Sequence, residues 1–402
     1  MKATKPTKLL IVSNWDWVIY NFRIALARAA REAGYEVVLV CPDGEYVSEF
    51  EEAEFHWVEW SLDRRSLNPV GEFGSVLSLA RIYEDEQPDL IHHDTIKPNV
   101  YGSLATWINQ LRGVRDHPPQ LINSFMGIGF LFSERTLARI LRPFVLPIMR
   151  FGMRQDHVVT TFSNRKDYST FVQKNLIESS QGQVMVSEFV NTNRFFPGEE
   201  EEEKTRGKNL AEAEGYGERE PVRVLMAARL LWDKGVQEYV DAAKILASRD
   251  VAVEFILAGE PDRETPGFVP EEKLEAWNDI ESFQWVGYCS EIPSLLRSCD
   301  VAVLPTYYNE GLPRFLVEAA ASGLPLVTTD LAACQGIVEH QKNGYLTQTR
   351  SADDIADAVE QLACNPEIRS AMGKRSRRKA KEEFAERKVI GQWLDLYAQR
   401  VG

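Results

Sequence analysis

The chain has 402 residues, which at about 150 residues per domain predicts two or three domains. Hydrophobic residues make up 44% and charged residues 26%, so there is enough apolar side chain to build cores, and disorder as the overall state is excluded. Asp and Glu number 60 against 46 Lys and Arg, and the net charge of −14 argues against nucleic-acid binding through a broad basic surface.

In chain order, the N-terminus carries three lysines up to Lys8, then the apolar run Leu9 to Val12. That run is too short for a signal-peptide core. Lys8–Ser13 is the first expected strand. Phe22–Ala33 has helical spacing and stops at Gly34. Glu36–Cys41 follows, closed by Pro42-Asp43-Gly44. Further expected strands are His56–Trp60, Asp89–His92, Gln120–Ser124, His157–Phe162 and Val184–Phe189. Strands separated by helix-length segments imply βαβ units and a parallel sheet. After Pro197-Gly198 come five glutamates, Glu199–Glu203, and a polar stretch to Pro221, which reads as a solvated linker. The alternation then resumes with Val222–Ala227, Val251–Ala258, Phe283–Val286, Asp300–Leu304 and Pro325–Thr328. Glu383–Arg400 is amphipathic, with Val389, Trp393, Leu396 and Tyr397 on one face, and is expected to pack as a terminal helix on the first domain. The expected division is 1–198, an acidic linker 199–221, a second α/β domain 222–382 and the terminal helix 383–402.

Cys41, Cys289, Cys299, Cys334 and Cys364 are odd in number and show no CxxC spacing, so neither a disulfide framework nor a cysteine zinc site is expected, and a reducing cytoplasm fits. No apolar stretch is long enough to span a bilayer. No Asp-x-Asp pair and no His or Cys cluster with ligand spacing occurs, so neither a metal nor another cofactor is expected.

The chemistry concentrates in Asp300–Gly323, DVAVLPTYYNEGLPRFLVEAAASG. An apolar strand is followed by a polar loop, then Glu310-Gly311, then Pro313 at the expected first helical position. The amides of Gly311, Leu312 and Arg314 would face a ligand above the helix start, where anions and oxygen-rich groups are favoured. Glu310 sits at the loop tip. Glu318 lies about 7–8 Å along the axis of a helix that starts near Pro313. Two staggered carboxylates suit an extended ligand with hydroxyls at both ends. Arg229 and Lys234 follow the strand Val222–Ala227 and together could neutralise a diphosphate. The bland alternative is an exposed loop with two cations, a loop carboxylate and a solvated helix face.

Taken together, Arg229, Lys234 and the spaced Glu310 and Glu318 in NEGLPRFLVEAAASG resemble the retaining sugar transferases of glycosyltransferase family 4. The second half matches that family from VLMAARLLWDKG to NGYL, with AGEPD at 258–262 and WVG at 285–287 in step. Asn14-Trp15-Asp16-Trp17, Asn21-Phe22-Arg23, Pro88-Asp89-Leu90-Ile91-His92 and Thr95-Ile96-Lys97-Pro98 resemble a branch that makes bacterial surface polysaccharides and protein glycans. That branch includes capsular polysaccharide and undecaprenyl-diphosphate-linked N-acetylhexosaminyl transferases. The resemblance implies the α/β GT-B fold, two Rossmann-like domains with parallel sheets facing a cleft. By motif, Glu318 would hold the donor ribose, and Glu310 the transferred sugar with the amides of Gly311 and Leu312. Arg229 and Lys234 would hold the diphosphate, and the main chain near Val286 the base edge.

The first domain departs from the family pattern. Asn14 and Asp16 stand where relatives have a glycine-rich loop, and either shape an acceptor pocket or form a packed loop. In His92-His93-Asp94 the second histidine of a usual His-x-His is replaced by Asp94; one of the three is a candidate site residue, while a core role for His92 is the alternative. Gly127 and Gly129 could line the cleft or simply serve a turn. Ser187-Glu188-Phe189-Val190-Asn191 replaces a glycine-rich turn, and Ala333 and Gln335 replace an expected Gly and Arg. Residues 135–154 combine Arg135, Arg139, Arg142, Arg150 and Arg154 with apolar side chains. They read either as a basic amphipathic segment against anionic lipid, interrupted by Pro143 and Pro147, or as a helix packed on the first domain. Lys374–Lys381 reads as a solvated basic face.

The expected partners are thus a UDP-sugar donor, a glycan or lipid-diphosphate-linked sugar acceptor, and the inner membrane surface. The expected activity is retaining, metal-independent transfer of a hexose or N-acetylhexosamine. The alternatives are a sugar-nucleotide epimerase or hydrolase on the same fold, and a non-catalytic sugar-nucleotide binder.

Overall fold

The computed structural model describes residues 5–64, 68–128, 132, 136–198, 220–263, 265, 267–308 and 311–402. The expected contributions of Glu310, Gly129, Arg135 and the acidic stretch from Glu199 lie outside the described residues. The chain divides into two compact units. One gathers Met1–Glu188, Asn309–Gly311 and Arg387–Gly402; the other gathers Phe189–Tyr308 and Leu312–Glu386.

The first unit is built on a seven-stranded parallel sheet in the order β3-β2-β1-β4-β5-β6-β7. Its strands are β1 (Lys8–Ser13), β2 (Glu36–Cys41), β3 (His56–Glu59), β4 (Leu90–Asp94), β5 (Gln120–Phe125), β6 (Val158–Phe162) and β7 (Gly182–Val184). KLLIVS and EVVLVC are nearly continuous aliphatic runs, as strands covered on both faces require. On one face Leu10, Val12, Val38, Ile91 and Leu121 pack against Leu79, Ala80 and Tyr83 of the Pro69–Glu86 helix and Ala105 of the Ile96–Leu111 helix. Register places Ile11 opposite His92 and Ser13 opposite Asp94. Side chains alternate along a strand, so His92 and Asp94 point to the opposite face from Ile91 and His93. That opposite face receives the Glu386–Val401 helix, whose Trp393 stacks on His92 with ring centroids 4.7 Å apart.

The second unit carries a six-stranded parallel sheet in the order β10-β9-β8-β11-β12-β13. Its strands are β8 (Val222–Ala227), β9 (Val253–Ala258), β10 (Phe283–Trp285), β11 (Val301–Leu304), β12 (Leu326–Thr329) and β13 (Gly344–Thr347). Both sheets run third-second-first-fourth in their own numbering. The order therefore reverses beside β1 in one and beside β8 in the other, and ligands of open α/β sheets bind outside the carboxyl ends of strands at such a switch point.

Several local expectations are corrected. The helix expected over Phe22–Ala33 opens with a π-helical turn, Ile19–Arg23, and continues as Ile24–Glu32. The strand expected at Val184–Phe189 lies earlier, at Gly182–Val184, where it pairs with β6. β13 had no counterpart among the expected strands. The Thr136–Met153 helix runs through Pro143 and Pro147 without interruption. The segment after Phe189 groups with the second unit. Arg377 explains this by donating to the carbonyls of Phe195 (2.7 Å) and Thr192 (3.0 Å), while the Val190 amide donates to Phe384 O (2.9 Å). The basic run is likewise engaged: Arg375 donates to Lys342 O at 3.1 Å and Lys379 pairs with Glu339 at 2.9 Å.

Candidate functional site

The second unit's switch point is assembled from two loops. After β8, a 3-10 turn, Trp232–Lys234, leads through Gly235 into the Val236–Ser248 helix. Gly235 has φ +80°, and any Cβ there would collide with the Pro305 carbonyl, so glycine is required on both counts. After β11, the Tyr307 amide donates to Asp233 O at 2.8 Å. This bond stitches the two loops together and leaves the Lys234 ammonium 5.4 Å from the Tyr308 ring centroid. Lys234 is 8% exposed, an unusual degree of burial for a lysine.

Arg229 lies on the same β8 loop and is exposed. Its Nη1 is 2.9 Å from Asp262 Oδ2, and Thr265 donates to that same carboxylate oxygen at 2.7 Å. Exposed pairs of this kind are worth about 0–1 kcal/mol, so a doubly charged ligand can outcompete Asp262 for the guanidinium.

The helix after the β11 loop spans Arg314–Ala321, with Pro313 as its N-cap at φ −67° and ψ 111°. Pro313 therefore stands one place before the expected first helical position. Gly311 and Leu312 are buried. Glu318 accepts from Arg314 Nε at 2.8 Å, and its side chain is 13% exposed. Burial raises the Glu318 pKa, opposed by the positive charges of Arg314 and Arg194. The sequence reading used only the Arg314 amide and passed over both guanidinium groups. The i,i+4 spacing of Arg314 and Glu318 was a readable signal; Arg194 lies 124 positions before Glu318 and left none. Val286 extends the β10 ladder, its amide donating to Leu257 O at 2.9 Å. Arg229, Lys234, Leu312, Glu318 and Val286 thus all belong to the second unit.

In the first unit the expected acceptor residues gather at the carboxyl ends of β1 and β4. The Thr95 hydroxyl donates to Asn14 Oδ1 at 2.9 Å. Thr95 itself has φ 74° and ψ 170°, a conformation almost confined to glycine that costs on the order of 1–3 kcal/mol. Asp16 is buried and accepts from the Tyr46 amide at 2.8 Å. Gly127 has φ +144° just beyond β5.

His92, His93 and Asp94 are all fully buried. Asp94 receives a two-pronged bond from the equally buried Arg23, Nε to Oδ2 at 2.8 Å and Nη2 to Oδ1 at 2.7 Å. Burial would lower the Arg23 pKa, but Asp94 and then Glu188 raise it overall, so the guanidinium stays charged. His92 Nδ1 lies 2.6 Å from Tyr397 Oη, and its Nε2 lies 2.7 Å from Ser124 Oγ. His93 lies 2.6 Å from Tyr83 Oη and 2.8 Å from Asn123 Oδ1. Burial lowers the pKa of His92 to about 3 and of His93 to about 4. Both rings are neutral, and the 3.8 Å approach of His92 to Asp94 is not an ion pair.

The Thr136–Met153 helix buries Ala138 and Met149 but exposes Ile140 (58%), Phe144 (70%), Ile148 (43%) and Phe151 (42%), with Arg139 and Arg150 beside them. Among the described residues no helix is long and apolar enough to cross a membrane. Among them, too, no group of three or more His, Cys, Asp or Glu side chains is arranged to hold a metal ion.

A family model described as glycosyl transferases group 1 matches residues 207–379, and one described as glycosyl transferase 4-like matches residues 8–161. The N,N'-diacetylbacillosaminyl-diphospho-undecaprenol alpha-1,3-N-acetylgalactosaminyltransferase of Campylobacter jejuni is 26% identical, over 94% of this chain and 95% of its own. The capsular polysaccharide biosynthesis glycosyltransferase CapM of Staphylococcus aureus is 21% identical, over 91% and 90% respectively. The solved structure of Anabaena HepE in complex with UDP matches with a TM-score of 0.74 at 18% identity, covering 98% of this chain and 100% of that one, which shows the shared fold. Two Rossmann-like units and two consecutive family matches lead to one assignment: the chain belongs to the group 1, 4-like glycosyltransferases and has their GT-B fold.

Proposed function

We propose that this glycosyltransferase moves a sugar, an N-acetylhexosamine in our reading, from a UDP-sugar to a lipid-diphosphate-linked sugar in surface-glycan assembly. The observation that carries the donor half is the cationic, carboxylate-flanked switch point of the second unit. Lys234 is buried there and Arg229 is held by a weak, displaceable pair. In this reading both cations take the diphosphate and Glu318 takes the ribose hydroxyls. The amide of Val286 is already engaged, so its carbonyl reads the base edge. Glu310, with the amides of Gly311 and Leu312, takes the transferred sugar. The acceptor half is supported by the Campylobacter jejuni relative, whose name specifies a diphospho-undecaprenol-linked acceptor.

The reaction we infer retains configuration and needs no metal. The bond from the sugar C1 to the diphosphate oxygen breaks, the acceptor oxygen bonds to C1 on the same face, and the acceptor proton passes to a diphosphate oxygen. Arg229 and Lys234 stabilise the charge that develops on the leaving UDP. Asn14 and Asp16, with one of His92, His93 and Asp94 and with Gly127 and Gly129, belong to the acceptor side. The two histidines act there by shaping β4 rather than by exchanging protons, since both are buried and neutral. We also infer that the Thr136–Met153 helix rests on the inner membrane surface.

Steady-state kinetics test the donor assignment. Lys234→Ala should raise donor KM and lower kcat, with kcat/KM falling about 100-fold. Glu318→Ala should mainly weaken UDP binding, by about tenfold. Wild-type kinetics in both variants would remove the assignment.

A further inference from the structure

The Arg314–Ala321 helix is walled in on nearly every side. Phe315, Leu316, Val317, Ala319, Ala320 and Ala321 are buried, and only Arg314 and Glu318 reach the surface. They stand one turn apart, so the helix has a single open stripe, and that stripe carries both of its charges. Side chains on an α-helix lean toward its N-terminus, which brings the Glu318 carboxylate back over the Arg314 turn. There Arg314 Nε donates to Glu318 Oε1 at 2.8 Å, with the Arg314 side chain 38% exposed and that of Glu318 13%.

Helix stability does not account for this pair. A cation in the first turn opposes the helix dipole, and Arg before Glu is the weaker order of an i,i+4 pair. What the pair serves is the carboxylate. A carboxylate removed from water tends to take up a proton, and a protonated one gives up part of its capacity to accept hydroxyl hydrogens. Burial pushes the Glu318 pKa up, and the charge of Arg314, then that of Arg194, pulls it back. An ionised carboxylate offers roughly four acceptor positions, so the one bond from Arg314 orients the group and still leaves room for a vicinal diol.

We propose that Arg314 is a positioning residue for the donor ribose: through its Nε bond it orients the Glu318 carboxylate so that both ribose hydroxyls donate to it. Arg314 acts through Glu318 and does not itself hold the ribose. This role rests on the assignment of the ribose to Glu318 made above, and adds the residue on which that recognition depends.

Calorimetric titration of the full chain with UDP and with 2′,3′-dideoxy-UDP measures the role directly. The native chain should prefer UDP about tenfold. Arg314→Gln should reduce the preference to about threefold by weakening UDP alone. Its affinity for dideoxy-UDP should stay within about twofold of native, which also reports that the variant has folded. Arg314→Lys, whose ammonium reaches a carboxylate at i+4, should return the preference to about tenfold. Equal losses for both nucleotides in Arg314→Gln would mark Arg314 as part of the scaffold and overturn the proposal, as would an unchanged preference. Tighter UDP binding in Arg314→Gln would show that the arginine competes with the ribose, and would overturn it too. Glu318→Ala separates the two levels. Loss of the preference in that variant upholds the ribose assignment. A native preference there, or no preference in the native chain, overturns the assignment and the role of Arg314 with it.

Discussion

His92 and His93 are neighbours on β4 that enter opposite faces of one sheet, and each ends in a closed set of polar partners. Their pKa values of about 3 and about 4 stand against an ordinary value of 6.5. The unfolded chain therefore takes up protons as pH drops through 6.5, while the folded chain does not until about 4 and then about 3. Between these limits the unfolded state binds more protons, so stability falls as pH falls; above pH 6.5 these two groups add no pH dependence. Each unit of difference is worth about 1.4 kcal/mol, so the combined loss between pH 6.5 and 4 is several kcal/mol. The urea midpoint should decline steadily from pH 7 to pH 4.5, and less steeply in His92→Gln. A flat midpoint for the native chain would contradict the buried neutral assignment. None of this was visible in the triplet itself. The partners of His92 stand 305 and 32 positions away, and the partner of Asp94 stands 71 away. The positions of Arg229, Lys234 and Glu318 beside a strand end or a helix start were legible because those elements announce themselves within a few residues; their role as donor ligands remains the proposal.

At the scale of elements, apolar runs found most strands, because a strand covered on both faces needs no alternation to be seen. β13 escaped: Gly344-Tyr345-Leu346-Thr347 is short, and it is ordered by pairing with β12 rather than by its own composition. The Thr136–Met153 helix misled in another way. Pro143 and Pro147 each lack an amide, and the carbonyls thereby left unpaired are those of Arg139 and Pro143. Both residues are exposed, so water can satisfy those carbonyls and the helix continues. Its outer stripe of Ile140, Phe144, Ile148 and Phe151, set among arginines, is what a lipid surface would contact. The chain should co-sediment with vesicles containing anionic lipid, and Arg139→Glu with Arg142→Glu should weaken this several-fold, as should added salt. Equal sedimentation of the double variant would remove the helix from the membrane reading.

At the scale of the whole chain, the repeated alternation of strands and helices was enough to read two α/β units, and the shared strand order explains why each has a switch point beside its first strand. The unit boundaries were less legible. Phe189–Phe195 joins the second unit because Arg377 and Phe384 bind its backbone, and the terminal helix joins the first because Trp393 and Tyr397 close over His92. These contacts span between about 180 and 300 positions, beyond the reach of local pattern. The residues proposed to hold the donor, Arg229, Lys234, Glu318 and Val286, all lie in the second unit. The most direct measurement is a crystal structure of the chain with UDP bound. The diphosphate should lie on Arg229 and Lys234, the ribose on Glu318 and the uracil at Val286, with the Arg229–Asp262 pair opened. UDP bound elsewhere, or bound with these side chains turned away from it, would contradict the donor assignment.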